Sequence, residues 1–411
     1  MISAAEAELT ILNLVQPLSQ TEAIEIAAAT GRVLADSIAS RLDFPHWDNS
    51  AMDGYAVRFA DVATSSQAQP VDLEVIEEIP AGYQPLQEIQ SGQAARIFTG
   101  AIVPSGADTI VMQEDTTRQG KIVSIRQTPK LGAFIRHRGE YARSGDLLLT
   151  PGYTLNPPEI ALLAATGCSQ VSVYHRPRVA ILSTGDELVP PSQILQPGQI
   201  VDSNQYAIAA FIRQAGAIPI CMGIVPDDRA KLTALMSESI DSADLVISTG
   251  GVSVGDYDYV EDILAELGGD IQIRAVAIKP GKPLTVAKFL RESRPIVYFG
   301  LPGNPVSALV SCWRFVLPAI HKLAGLPPST WTPTWLAGVT TEDLRADGKR
   351  ETYLWGKLSL IDEQYHFTLS SGSHSSGNLI NLVGTNALAL IPVGTTIIQP
   401  GQKVKILAIG I

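Results

Sequence analysis

The 411-residue chain is short of cysteine: Cys168, Cys221 and Cys312 are the whole complement, and no two form a C-x-x-C pair. This excludes a disulfide scaffold and a cysteine-built zinc centre and fits a reducing cytoplasm. Long apolar runs are also missing. A membrane span needs roughly 18 uninterrupted residues, and the nearest candidate, "IVYFGLPGNPVSALVSCWRFVL", is broken by Pro302, Asn304, Pro305 and Arg314. The start, "MISAAEAELTILNLV", carries acids where a signal peptide needs bases, and reads as an amphipathic helix. Positive charge is in deficit, with 30 Lys and Arg against 41 Asp and Glu and a net charge of -11, which argues against broad nucleic-acid binding and leaves any anion site to be built locally. No G-x-x-x-x-G-K-[ST], no H-E-x-x-H and no G-x-G-x-x-G after a strand occurs, so the common nucleoside triphosphatase, zinc protease and dinucleotide readings lack their residues. The expectation is a cytoplasmic protein with no membrane and no nucleic-acid partner.

What is present is a folded, loop-punctuated composition, 45% hydrophobic with 34 Gly and 27 Pro, long enough for several cores. From 177 to 326, apolar strands such as "RVAILST" and "DLVISTGG" alternate with amphipathic segments such as "NQYAIAAFIRQAG". That alternation predicts a mostly parallel sheet covered on both faces, a three-layer α/β/α domain. Residues 44–140 predict a small inserted β domain, and 327–411 a C-terminal β-barrel. Residues 1–43 and 141–176 carry helix-like "EAELTILNLV", "TEAIEIAAATGRVLA" and "NPPEIALLAATG" and predict a discontinuous helical domain.

Ligands of such α/β folds sit beyond the carboxyl ends of the strands, which directs attention to "TGDEL" (184–188), "VPDD" (225–228), "TGGVSVGDYD" (249–258) and "LPGNP" (301–305). The third contains G-x-S-x-G around Ser253. As a nucleophile, Ser253 needs a later histidine, and His374 is the plausible partner, because His321 and His366 fall on a helix and a barrel strand. The alternative is a cradle: Gly250, Gly251 and Gly255 let amides approach an anion, and Asp256 and Asp258 become tolerable beside it if a cation intervenes. Mg²⁺ suits that arrangement, taking one or two carboxylates and completing its shell with substrate oxygens. Glu187, Asp227 and Asp258 follow strands of one sheet and are the expected ligands. "IKPGKP" brackets a proline-fixed turn with Lys279 and Lys282, two like charges that invite a shared anion. In "LPGNP", Asn304 is expected to cap a helix opened by Pro305, with Pro302, Gly303 and Asn304 in reach of ligand.

Taken in order along the chain, "DNSAMDGYAV", "FTGAIVPSGADTIVMQED", "LSTGDELV", "TGGVSVGDYDYV", "IKPGKP", "LPGNPVSALV" and "GSHSSGNLINLVGTNALALIP" resemble the MoeA-type molybdopterin molybdenumtransferases, which include the gephyrin E domain. The resemblance spans nearly the whole chain. It implies a four-domain homodimer with clefts between subunits, in which the α/β domain binds molybdopterin and the discontinuous domain serves dimerisation. It further implies Mg²⁺-dependent cleavage of adenylylated molybdopterin with insertion of molybdate, releasing AMP and molybdenum cofactor. Transient contact with a molybdopterin adenylyltransferase and with molybdoenzyme apoproteins would follow. By motif position Asp53, Thr99, Glu187, Asp227 and Asp258 would be the catalytic set, Lys279, Lys282 and Ser253 would bind phosphate or oxyanion, and Arg350 and Ser373 would help hold molybdate. One position departs: in "RGEYARSGD", Tyr141 stands where the family usually has aspartate, so either Glu140 or Asp146 substitutes, or that acid is dispensable, or the chain is an altered paralogue serving as a dimeric scaffold.

Overall fold

The computed structural model describes residues 1–250, 259–291 and 294–409. Near-continuous apolar strands need cover on both faces, and the central sheet has it. Its six strands run in the order Ile218–Val225, Arg178–Thr184, Leu245–Thr249, Arg294–Leu301, Pro283–Arg291 and Asp270–Ala275; the first four are mutually parallel, and Pro283–Arg291 runs antiparallel to both of its neighbours. Side chains alternate across it. Val179 and Ile181 face a core shared with helix Asn204–Gln214 and the helical run Pro305–Leu323, while Ala180 and Leu182 face helices Arg229–Ser242 and Val260–Glu266. The expected three-layer domain is thus present. The run Pro305–Leu323 is long and apolar enough to pass as a membrane span by length and composition, yet 72% of it is buried inside the fold, which makes it a core helix. Its middle, Cys312–Val316, is wound as π-helix, and that segment presents Arg314 to the interior.

Two expectations for the first 43 residues change. Helix Ala4–Leu14, opened by a Ser3–Glu6 capping box, buries Ala4, Ala7 and Ile11 in the core of the α/β domain. The predicted helix over 21–35 is instead a strand, Thr21–Glu25, antiparallel to Gln170–Tyr174, followed by the short 3-10 turn Ile26–Ala28. "TEAIEI" alternates as a strand does, and a partner strand arriving from 170 onward overrides weak helix propensity. Helix Pro157–Ala165 forms as read.

In the inserted β domain six strands pair in one mixed sheet, with Gly54–Val57 between Thr109–Met112 and Gln93–Ile97. At the C-terminus, Trp335–Thr340, Glu351–Ile361, Gln364–Leu369, Ala387–Ile391 and Lys403–Ala408 close into a five-stranded barrel, because Glu351–Ile361 pairs with both Gln364–Leu369 and Ala387–Ile391. The short strand Ile278–Lys279, from the α/β domain, adds in parallel to the start of Glu351–Ile361. The two domains are therefore joined by main-chain hydrogen bonds near the "IKPGKP" turn.

Candidate active site

A cleft of about 600 Å³ opens at the carboxyl ends of the parallel strands, walled by Thr184, Glu187, Asp202, Gly250, Pro302 and Asn304, with Gly377 of the barrel closing one side. A glycine lets its walls meet, and a second lies beside it at ordinary contact distance. Gly250 has φ +86°, and a Cβ there would sit 2.4 Å from the Thr184 carbonyl oxygen; a Cβ on Gly303 would lie 3.8 Å from the Gly250 Cα. The Gly303 carbonyl accepts from the Asn204 side chain at 2.8 Å, which fixes the "LPGNP" backbone. Asn304 stands at the cap position with Pro305 as the first helical residue, but its side chain makes no capping bond. It reaches instead toward Gly377 across the cleft, to 3.8 Å from where a Cβ there would lie. The Thr184 hydroxyl is buried and has no hydrogen-bond partner among the described residues. A buried unpaired hydroxyl in a cleft wall is costly unless a ligand satisfies it.

Acids gather at the strand ends beside this cleft. The Asp186 carboxylate accepts from the Asp227 amide at 3.1 Å. Desolvation, followed by the charges of Asp186 and Glu187, raises the Asp227 carboxyl above the ordinary aspartate value, although it still reaches solvent. Among the described residues no three His, Cys, Asp or Glu are grouped closely enough to hold a metal ion, and the third expected ligand, Asp258, lies outside the described residues, as do Gly251, Ser253, Gly255 and Asp256. A carboxyl whose pKa is raised in the fold stabilises it only while protonated; the penalty appears as pH rises through the unfolded value and is complete above the folded one. Asp227→Asn is accordingly expected to stabilise the protein at pH 7 by about 0.5 kcal/mol after solvent screening, with the gain vanishing below pH about 4. Thermal unfolding followed across pH 3–8 measures this, and equal gains at both ends would refute it.

A second cluster is cationic. Lys279 lies 3.3 Å from the Asp347 carboxylate, and Arg350 lies 3.9 Å from the same oxygen while donating to the Ile278 carbonyl at 3.4 Å. Lys282 is exposed and forms no ion pair among the described residues. Ser373 is exposed on the loop that leads to Gly377; its carbonyl accepts from Asn378 at 3.1 Å and from Asn381 at 2.8 Å. Asp53 and Thr99 form a unit of their own in the inserted β domain: one Asp53 oxygen accepts from the Thr99 amide and hydroxyl, each at 2.8 Å, and these bonds hold its carboxyl below the usual aspartate range. Neither residue lines the cleft of its own chain.

Comparison with known proteins agrees with this layout. Family profiles match residues 2–167 (MoeA N-terminal region, domain I and II), 180–322 (probable molybdopterin binding domain) and 337–409 (MoeA C-terminal region, domain IV). Over 404 residues the chain is 57% identical to the molybdopterin molybdenumtransferase of Nostoc sp., covering 98% of this chain and 92% of that one. The chain belongs to the molybdopterin molybdenumtransferase family. The Bacillus subtilis molybdopterin molybdenumtransferase is 35% identical over 407 residues, with 96% and 91% of the two chains covered. A solved molybdopterin biosynthesis MoeA protein of Pyrococcus horikoshii OT3 superposes with a TM-score of 0.84 at 27% identity, over 99% of this chain and 100% of that one.

As a member of the molybdopterin molybdenumtransferase family, the chain is a transferase of molybdenum cofactor biosynthesis. Of the pair the hydrolase alternative needs, Ser253 lies outside the described residues, and His374 packs on Trp355 with ring centroids 4.4 Å apart, its Nε2 bonded to the Ser370 carbonyl and its pKa lowered by burial. Tyr141, where the family usually has an acid, packs its ring against Phe44 at 5.8 Å, next to His46. Glu140 and Asp146, the two candidate replacements, each accept a nearby backbone amide, of His137 and Arg143 respectively. Sequence reasoning missed Thr184, Asp186, Asp202 and Asp347. Asp186 adjoins Glu187 and Asp347 precedes Arg350 by three residues, a spacing at which a charge pair is worth testing; nothing local marks Thr184 as unpaired.

Proposed function

We propose that the chain inserts molybdate into the dithiolene of adenylylated molybdopterin, cleaving the pyrophosphate and releasing AMP and molybdenum cofactor. The observation that carries this reading is a glycine-walled cleft, with a buried hydroxyl that has no partner among the described residues, on the same domain face as a cation pair built from Lys279 of the α/β domain and Arg350 of the barrel. The substrate brings its own sulfurs, so the protein need supply no nucleophile; its work is to orient two anions and compensate their charge. Molybdate and a pyrophosphate repel by several kcal/mol at an effective dielectric of about 20. Lys279, Lys282 and Arg350 offset that repulsion, the Thr184 hydroxyl, unpartnered among the described residues, donates into the cleft, and Asn304 and the Gly250 and Gly303 backbone shape the wall on which the phosphates rest. Ser253, Gly251 and Gly255, outside the described residues, are assigned to phosphate binding by motif position, and Ser373 to molybdate.

The oxygen-only donors Glu187 and Asp227, with Asp186 beside them, suit Mg²⁺, and Asp258, outside the described residues, is added by motif position. Desolvation raises Asp227 most, and the repulsion from Asp186 and Glu187 that adds to it is what a cation there would relieve. Bound Mg²⁺ supplies charge neutralisation at the pyrophosphate. Because Asp53 and Thr99 stand apart from the cleft of their own chain, we infer a homodimer in which each cleft receives them from the partner subunit. A cytoplasmic setting, substrate hand-over from a molybdopterin adenylyltransferase and delivery to molybdoenzyme apoproteins belong to the same reading. The decisive assay is anaerobic AMP release from adenylylated molybdopterin with Mg²⁺, with and without molybdate. Release that requires molybdate is expected; an unchanged rate without molybdate, or no release from a folded dimer, would overturn the proposal.

A further inference from the structure

We propose that Asp347 is an internal stand-in for the substrate oxyanion: its carboxylate occupies the space between Lys279 and Arg350, and its displacement by molybdate sets the affinity of the site. The inference rests on the functional reading above and adds a residue to it.

The two cations come from different domains and are held close by backbone. Lys279 ends the two-residue strand Ile278–Lys279, which pairs in parallel with Glu351–Ile361, placing Ile278 opposite Glu351 and Lys279 opposite Thr352. Arg350 immediately precedes that strand and is anchored to the Ile278 carbonyl. Two like charges fixed this near each other need a counter-anion, and in the free protein Asp347 provides it, 3.3 Å from the Lys279 ammonium and 3.9 Å from the Arg350 guanidinium, through a single oxygen. The other oxygen accepts from the Lys349 amide at 2.9 Å. That amide bond first, and then Lys279, hold the carboxyl below the ordinary aspartate value, so it is ionised at neutral pH.

The carboxylate is also removable. The Asp347 side chain is 34% exposed, its bonds to the cations are at the long end of ion-pair range, and a rotation about its own side-chain bonds returns it to water. One negative charge between two positive ones leaves the cluster with a net positive charge, and the exposed Lys282 follows three residues after Lys279. A monoanion therefore gains little over Asp347, whereas a dianion such as molybdate compensates the cluster more fully. Asp347 thus imposes a charge threshold on what binds, weakening every anion by the same displacement cost and leaving only the more highly charged ones bound.

The test is calorimetric titration of the full-length protein with molybdate in buffer free of phosphate and sulfate, comparing wild type with Asp347→Asn. Asparagine still accepts from the Lys349 amide, so the turn is preserved and only the charge is lost. Tighter molybdate binding, by about three- to tenfold, is expected, with a parallel fall in KM for molybdate and no rise in kcat. Equal or weaker binding would overturn the proposal, because a carboxylate that merely preorganises Lys279 and Arg350 is missed when it is removed. Asp347→Ser serves as the second variant, with thermal unfolding reporting whether each is folded. Lys279→Gln separates the two levels of inference. If it leaves molybdate binding unchanged, the oxyanion does not bind at this pair and the functional placement fails along with the proposal; if it weakens binding while Asp347→Asn does not tighten it, the role of Asp347 alone fails.

Discussion

Arg314→Ala is expected to destabilise the protein by about 3–5 kcal/mol, the range for removing one partner of a buried ion pair. Arg314 sits on the π-helical segment with its side chain only 6% exposed, and it pairs with Glu8 of the N-terminal helix, whose side chain is 15% exposed. Its Nε also donates to the Tyr353 hydroxyl at 3.0 Å, and that hydroxyl donates to Glu351. Phe315 and Trp335 lie beside the guanidinium, with ring centroids 5.2 Å and 5.7 Å away. Alanine would leave Glu8 charged in a site nearly closed to water and free the Tyr353 hydroxyl, so the cost is mainly an uncompensated charge. Lysine is not a conservative replacement, because a point charge cannot serve two partners set at different angles. The double variant Glu8→Gln with Arg314→Met removes both charges and should recover most of the loss. Urea and thermal unfolding decide the matter, and a loss under about 1 kcal/mol for Arg314→Ala would show that the network does not hold these elements together.

The second large effect concerns the separation of Asp53 from the cleft. Asp53→Ala and Glu187→Ala, each purified alone, are expected to lose about 10²–10³-fold in turnover, the scale of removing one group that compensates developing charge. Mixed and allowed to exchange subunits, the two inactive proteins should recover about a quarter of the wild-type rate, because in a two-fold dimer random pairing restores one intact cleft in each heterodimer. Recovery near zero, with exchange verified by mass, would place Asp53 and Glu187 in the same chain's site and remove the argument for a cleft completed by the partner subunit.

Much of the α/β domain could be read because burial on both faces leaves an unmistakable sequence signature: "RVAILST" and "DLVIST" are too continuously apolar for anything but an interior strand. The glycine and proline segments after those strands could be read for a related reason, since a backbone that must pass within contact of its neighbour can carry no side chain, as Gly250 shows against Thr184. Other features depended on partners remote in sequence. Whether "TEAIEI" is helix or strand was settled by a strand 145 or more residues later. The first helix shows an amphipathic face but not which sheet it will cover, and it covers the sheet of a domain beginning near residue 178. Asn304 looked like a cap because its residue type and the following proline suit one, yet the helix starts without its side chain. Asp347 was invisible as a site residue because its meaning depends on Lys279, which approaches only when a two-residue strand of one domain joins the barrel of another.

That joint has a mechanical consequence. Between the α/β domain and the barrel run the strand pairing at Ile278–Lys279, the Glu351 amide bonded to the Ala277 carbonyl, the Val306 amide bonded to the Ser376 carbonyl and the buried Arg314–Tyr353 contact. To swing one body away from the other would break all of them together, so the covalent linker near 326 is not a working hinge. The two walls of the cleft are tied through backbone, so the spacing of the Lys279 and Arg350 main chains is set during folding, and binding costs only the ordering of their side chains. The opening through which a ligand enters must lie on a side of the cleft that these bonds do not cross.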